Sequence, residues 1–184
     1  MLGPPPAGDG ELHATERQLQ VLLGMLDEAA LAQTLDQAIG QVLPALAVAA
    51  GARAARAWLT APAGPLVLAG CWSERGDELP ALLPTADSAP TLRIVASGTA
   101  SRWVTSLREL PPHPEADGLG LRSALLVPVP SGVGLLELDF ADAPPPGAQL
   151  LAVVEAAARL LGRAQPPETP RPHLQLAPPP ESGE

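Results

Sequence analysis

The sequence predicts an α+β domain with a single antiparallel sheet of five or six strands. Two stretches of apolar residues at helical spacing enclose a centre that is rich in strand-type runs. Within that centre, two pairs of such runs are each joined by a short turn containing proline and glycine, which is typical of hairpins. We therefore expect the N- and C-terminal helices to pack on one face of the sheet. An irregular helical segment between the hairpins would cover the other face.

The N-terminal part contains two candidate helices after a disordered start. Residues 1–10 are rich in proline and glycine and are expected to be disordered. Residues 11–26 predict a flanking amphipathic helix, because leucines recur there at helical spacing. Residues 31–46 predict the first helix of the domain proper, which we place at 27–165. Pro44 lies inside the apolar stripe of this helix and predicts a kink or an early break.

The strands and the remaining helices follow from the positions of turn residues. The predicted strands are 53–60, 65–73, 102–107, 123–129 and 133–140. Proline-broken loops and short helices fill the segment between the hairpins, including one helix near 91–97. A last helix is predicted over 148–163 from its apolar stripe. Residues 166–184 are rich in proline and polar residues, so we expect a disordered tail.

Charge and cysteine content exclude several classes of function. The 184-residue chain has a formal net charge of −9, which repels phosphate backbones and anionic lipid surfaces, so neither nucleic acid nor membrane is an expected partner. A single cysteine excludes an intramolecular disulfide and multi-cysteine metal clusters. The sequence contains no secretory signal and no apolar run long enough to span a membrane. We therefore expect a cytoplasmic protein, and we expect it to bind neither a cofactor nor a metal.

The last predicted strand carries two alternating carboxylates, Glu137 and Asp139. Alternation places them on one face of the strand, where we expect them to meet solvent or arginine side chains. No nucleophile accompanied by a general base is found in the sequence, so no catalytic residue is assigned.

Two segments of the chain resemble a known family. Residues 117–140 read DGLGLRSALLVPVPSGVGLLELDF, and residues 94–107 read IVASGTASRWVTSL. Both are similar to segments of GAF domains, over roughly residues 27–165. The resemblance implies a stand-alone GAF domain, in which a small-molecule pocket lies between the sheet and the irregular middle segment. PAS-type sheets share the same general appearance. The resemblance also implies a sensory or dimerisation module rather than an enzyme.

Three specialised chemistries of the resembled family are not expected. The cyclic-nucleotide signature needs asparagine and lysine, and this chain contains neither. Covalent bilin attachment needs a cysteine next to a histidine, and His113 has no such neighbour. Reduction of free methionine sulfoxide needs several cysteines, whereas Cys71 is alone. Cys71 is therefore either a small buried apolar residue or a redox-sensing thiol.

Five side chains are candidates for lining the implied pocket, on the basis of their predicted positions and chemical types. They are Trp72 from the sheet, Arg93 and Trp103 from the middle segment, and His113 and Arg122 near the mouth. Aromatic walls with a few polar groups are usual in ligand pockets, and arginines suit an anionic ligand. The alternative interpretation is that the tryptophans pack in the core and that the arginines and the histidine are ordinary surface residues.

The sequence leaves three functions open. The first is a sensory module that binds a small molecule under a mobile cover formed by residues 74–120. The second is a degenerate module that acts only in dimerisation or partner docking, and the third, more distant, is a small redox enzyme. In the first two cases the signal must pass through a protein partner or through self-association. We expect a homodimer that uses the flanking helix, with leucines at 19, 22, 23 and 26, together with the last helix.

Overall fold

A computed structural model of the chain describes residues 24, 35–61, 64–76, 90–111, 116–142 and 145–164. Its helices are α1 (Leu35–Ala50), α2 (Pro90–Ala96), α3 (Ala116–Leu119) and α4 (Ala148–Ala164). Its strands are β1 (Ala54–Thr60), β2 (Leu66–Ser73), β3 (Arg102–Val104), β4 (Ser123–Val129) and β5 (Gly134–Phe140). Single 3-10 turns lie at Leu107–Glu109 and Pro130–Gly132. The predicted flanking helix, most of the N-terminus, and the tail lie outside the described residues.

The described strands form one antiparallel sheet in the order β2-β1-β5-β4-β3. Strands β1 and β2 form one hairpin and β4 and β5 form another, and the two hairpins join where β1 pairs with β5. The predicted fold class is therefore confirmed. Strand β3 ends at Val104, three residues earlier than predicted, because the chain turns into the 3-10 turn that follows Ser106.

Helices α1 and α4 contact each other and pack on the same face of the sheet, which we call the helix face. Leucine, valine and alanine side chains fill this core, as the near-absence of aromatic residues requires. Representative members are Leu43 and Leu46 of α1, Leu136 and Leu138 of β5, and Leu161 of α4, all of them buried.

Helix α1 continues through Pro44 to Ala50, so an early break at Pro44 does not occur. A proline in a helix interior costs about 3 kcal/mol through the lost hydrogen bond and the ring clash. The neighbouring Leu43 and Leu46 are each about 1 % exposed. Full burial of one such side chain contributes roughly 1.5–3 kcal/mol, so the packing of this turn offsets the cost of the proline.

The middle of the chain covers the other face of the sheet, which we call the cover face. Leu92 and Val95 of α2 pack against Trp58, Leu126 and Leu135 in a second buried apolar cluster. The cover is also joined to the sheet at one end of β1. There Arg53 donates one hydrogen bond to the Leu119 carbonyl at 2.7 Å and another to the Glu74 carboxylate at 2.7 Å. No helix of the described chain is both long and apolar enough to span a membrane.

Candidate functional site

In the middle of strand β1, small residues on the helix face alternate with large, partly polar residues on the cover face. Ala55 and Ala57 belong to the core beneath α1 and α4, whereas Trp58 belongs to the cluster beneath α2. Because side chains alternate along a strand, Arg56 lies on the same face as Trp58. The small alanines leave room for α1 and α4 on the helix face. The polar side chains of the strand lie on the cover face.

Three ionisable side chains are buried together on the cover face, and we call them the ionic cluster: Arg56, Glu137 and Asp139. Arg56 is 6 % exposed and both carboxylates are 0 % exposed. Arg56 Nη1 donates a hydrogen bond to Asp139 Oδ2 and lies 3.6 Å from Glu137 Oε1. The indole Nε1 of Trp58 donates a hydrogen bond to Glu137 Oε2 at 2.5 Å. One guanidinium and one indole thus orient two carboxylates.

The register of the sheet brings these residues together. Arg56 is directly opposite Glu137 across the β1–β5 pairing, and Ala54 is opposite Asp139. The two carboxylates alternate along β5, so both point to the cover face, and the small Ala54 gives the arginine access to the second carboxylate. Of the two expected environments, solvent or arginine, the structure shows arginine, with both carboxylates buried.

Two further polar side chains extend the ionic cluster toward the edge of the sheet. Cys71 of β2 is opposite Arg56, and Ser73 is opposite Ala54, so both point to the cover face. The Ser73 hydroxyl oxygen is buried and has no hydrogen-bond partner among the described residues. Buried polar atoms in native proteins are nearly always paired, and an exception points to a water or a ligand. The two residues, the ionic cluster and Trp58 together form what we call the polar strip.

The thiol of Cys71 is half-buried and free. Burial raises its pKa, and the nearby Arg56 guanidinium lowers the pKa by a smaller amount. The balance favours the protonated thiol, whereas a redox-active cysteine needs a readily formed thiolate. This environment counts against the interpretation of Cys71 as a redox-sensing residue.

The two tryptophans predicted to line the pocket lie on the helix face instead. Trp72 is opposite Ala55, and both Trp72 and Trp103 pack against the core beneath α1 and α4. The Trp103 ring centroid lies 5.3 Å from that of Phe140, in a tilted arrangement. The expected position of these two indoles, between sheet and middle segment, is therefore wrong. The tryptophan on the cover face is Trp58.

The two predicted arginines lie in separate surface depressions rather than converging. Arg93 lines a groove of about 380 Å³ at the end of α2, and Arg122 lines an open cleft of about 710 Å³ beside α3. The cleft also contains Arg108 and the hydroxyl-bearing Thr105 and Ser106. Both volumes fall in or near the range of small-molecule sites, although neither depression contains the polar strip. His113 lies outside the described residues, and the described chain contains no cluster of potential metal ligands.

Sequence reasoning missed the ionic cluster because its members are far apart in the chain. Arg56 and Asp139 are separated by 83 positions. A weak signal was present: an acidic pair at i and i+2 in one predicted strand, and an arginine among alanines in another. Without the register, nothing in the sequence shows that these groups share a face and lie opposite each other.

The fold is similar to that of known GAF domains. No protein-family model matches the chain, and no curated protein matches it in sequence. The GAF domain of an Acinetobacter phosphoenolpyruvate-protein phosphotransferase is similar over 80 % of this chain and 92 % of its own length, with a TM-score of 0.66 at 13 % identity.

Two other solved structures show how different proteins use the same fold. The free methionine-R-sulfoxide reductase of Neisseria meningitidis, solved with its substrate, is similar over 82 % of this chain and 89 % of its own, with a TM-score of 0.63 at 17 % identity. The bacteriophytochrome RpBphP3 of R. palustris is similar over 79 % of this chain and 37 % of its own, with a TM-score of 0.60 at 12 % identity. At such identities the similarity shows the fold alone: residues 35–164 form a GAF-like domain.

Proposed function

We propose that this chain is a non-catalytic sensory or regulatory GAF-like module that binds a small polar molecule at the polar strip, beneath the residues that cover it. The observation that carries this proposal is the complete burial of Glu137 and Asp139 around the Arg56 guanidinium. Buried charges are costly, and groups of this kind are concentrated at functional sites. A module that only docks on partners through its surface has no need of them.

The chemistry of the polar strip indicates the class of ligand. Carboxylates accept hydrogen bonds and a guanidinium donates them, so the complementary molecule carries both donor and acceptor groups. The unpartnered Ser73 hydroxyl offers one further contact. The apolar side chains of Trp58, Leu92 and Leu126 lie beside these groups and lower the local dielectric, which strengthens each polar contact.

Signal output follows from ordering of the cover. A ligand that bridges the polar strip and the cover stabilises the closed arrangement, because it interacts with that state better than with an open one. The change would then reach a partner, or a second copy of the chain, through the surface of the domain. We retain the homodimer as part of this proposal. Leu151 and Leu160 of α4 are half-buried and could be covered by a second copy.

Native mass spectrometry of the protein purified from its natural source tests ligand binding. We expect a non-covalent adduct on the natural protein that is lost in the variants Glu137→Gln and Asp139→Asn. Glu155→Gln is the matched control, because Glu155 is a carboxylate that bonds with Ser101 on the opposite side of the domain. The adduct should persist in the control. Absence of any adduct from the natural protein, or its equal retention in all variants, would contradict the proposal.

A second function, docking without a small molecule, is favoured by the apolar packing under α2. Trp58, Leu66, Leu68, Leu92, Val95 and Leu135 form one buried cluster there. If side chains fill the whole cover face, the module acts through self-association or partner binding. Light scattering at tens of micromolar tests the assembly: we expect a dimer that Leu22→Glu weakens, and a monomer would refute this assembly.

A redox enzyme is the distant alternative, and the environment of Cys71 argues against it. The raised pKa of its thiol disfavours nucleophilic attack on an oxidised substrate. Turnover of free methionine sulfoxide with a thiol reductant, abolished by Cys71→Ser, would establish that alternative instead of a binding module.

A further inference from the structure

The open cleft beside α3 has no role in the function proposed above. Its volume of about 710 Å³ lies within the usual range of small-molecule sites. One wall is the segment that follows β3, and the other consists of the start of α3 and the two residues that precede β4. No residue of the polar strip lines it. The cleft is therefore a separate feature of the domain.

Four side chains that line the cleft can donate hydrogen bonds. They are Thr105, Ser106, Arg108 and Arg122. None of them forms a side-chain hydrogen bond or an ion pair within the part of the chain that the structure describes. Ser106 stands before the 3-10 turn at Leu107–Glu109, where a serine commonly caps the turn, yet its hydroxyl makes no capping hydrogen bond. All four side chains are thus available to an acceptor in the cleft.

The carboxylates nearest to the two arginines leave them unneutralised. Glu109 follows Arg108 in the chain, but its carboxylate is 3.3 Å from Arg102 Nη2 and it does not line the cleft. Asp117 lines the cleft without an ion pair to any described residue. Two guanidiniums and one carboxylate therefore border the same space. The cleft is positively charged, although the whole chain has a formal net charge of −9.

Buried contacts hold both walls of the cleft in place. On one side Leu119 of α3 is 0 % exposed and packs with Ala54 and Leu121. The hydrogen bond from Arg53 to the Leu119 carbonyl fixes the end of the same helix. On the other side Leu110 belongs to the buried cluster beneath α2. A framework that is already formed limits the entropy that is lost when a ligand binds.

We propose that this cleft is a second binding site, for a small phosphate monoester whose organic part carries hydroxyl groups. A phosphate group offers three acceptor oxygens and roughly two negative charges, which match two guanidiniums and two hydroxyls. The Asp117 carboxylate repels the phosphate but accepts hydrogen bonds from hydroxyl groups, so it orients the organic part. Leu110 and Leu121, both buried at the floor of the cleft, contact the carbon atoms of that part.

Binding at this site restrains part of the cover. Leu107, between Ser106 and Arg108, packs against both the cluster beneath α2 and the cluster around Leu119. An anion held by Arg108 on one wall and by Arg122 on the other connects the two walls across the cleft. This effect does not require a ligand at the polar strip, so the two sites stand or fall separately.

NMR titration of the ¹⁵N-labelled full-length chain at low ionic strength tests the site, with glycerol 3-phosphate and inorganic phosphate as separate probes. We expect saturable shifts of the amide signals of residues 105–110 and 116–122, and about five-fold tighter binding of glycerol 3-phosphate. Arg108→Gln and Arg122→Gln should each weaken that binding by about ten-fold. Arg93→Gln is the matched control and should bind as the natural chain does, because Arg93 is also an exposed arginine that lines a depression.

The variant Asp117→Asn distinguishes an organic ligand from a simple ion. Loss of the carboxylate should tighten the binding of inorganic phosphate by about three-fold and remove the preference for glycerol 3-phosphate. The substituted side chains are exposed, so thermal unfolding of all the variants should match that of the natural chain. Three results would overturn the proposal: no saturable binding of glycerol 3-phosphate, equal weakening in Arg93→Gln, or equal affinity of the natural chain for the two probes, which would show an adventitious ion only.

Discussion

Removal of the arginine from the ionic cluster should destabilise the domain more than any exposed ion pair could. In Arg56→Met, the apolar stem of the side chain is kept, but two carboxylates that are 0 % exposed lose their guanidinium. Breaking a buried ion pair by removing one partner costs about 3–5 kcal/mol, because an uncompensated charge stays buried. For a domain of this size we expect the melting temperature to fall by roughly 10–15 °C.

The control is Arg102→Met, which removes an ion pair with Glu109 whose side chains are 45 % and 46 % exposed. Exposed pairs contribute about 0–1 kcal/mol, since water screens both charges. Urea unfolding at neutral pH gives the free energy of unfolding of both variants. If the slope of this free energy against urea concentration is unchanged, each variant exposes the same surface on unfolding as the natural chain. If Arg56→Met costs no more than Arg102→Met, the ionic cluster is not buried as described and the site built on it is wrong.

Three other predictions test separate parts of the structure. Gly134→Ala should lower the free energy of unfolding by more than about 2 kcal/mol, because the added β-carbon would lie 1.9 Å from a backbone oxygen of β1. Gly40→Ala, in open space on α1, should be neutral or stabilising when its thermal unfolding is measured under the same conditions. The hydrogen bond from Arg53 lowers the pKa of the exposed Glu74, so the stability that this bond contributes is present above the pKa of the unfolded chain and is lost as pH falls through the folded pKa. In Arg53→Met, the titration midpoint of the Glu74 carboxyl group, measured by NMR, should shift upward. An unchanged midpoint would contradict the contact. Burial raises the pKa of Cys71, so alkylation by iodoacetamide at neutral pH should be slower in the native chain than in urea, and equal rates would show an exposed thiol.

Elements with strong local signals were predicted well. Strand β4 occupies the predicted residues 123–129, and α4 begins at the predicted residue, because turn residues and apolar periodicity act over a few neighbouring positions. Of the kink or early break predicted at Pro44, the early break does not occur, because burial of the surrounding turn outweighs the local effect of proline. Strand β3 was shorter than predicted because it pairs only with β4, over three residues.

The candidate site was predictable only in outline. The GAF-like resemblance indicated which two layers would enclose a pocket, and the structure places the polar strip between those layers. It did not indicate which tryptophan belongs there. A residue's face depends on the parity of the strand register, and β2 also contains an irregularity opposite Ala57 and Trp58. A shift of one position reverses every side chain beyond it.

By itself the sequence determined the fold class, the two hairpins and the helical stripes, because each depends on composition or on short-range periodicity. Only the tertiary structure decided that Arg56 lies between Glu137 and Asp139 and that Trp72 packs under the helices. These facts depend on contacts between residues far apart in the chain. Such contacts are chosen by the packing of the whole domain, since no local interaction fixes the register in which distant strands meet.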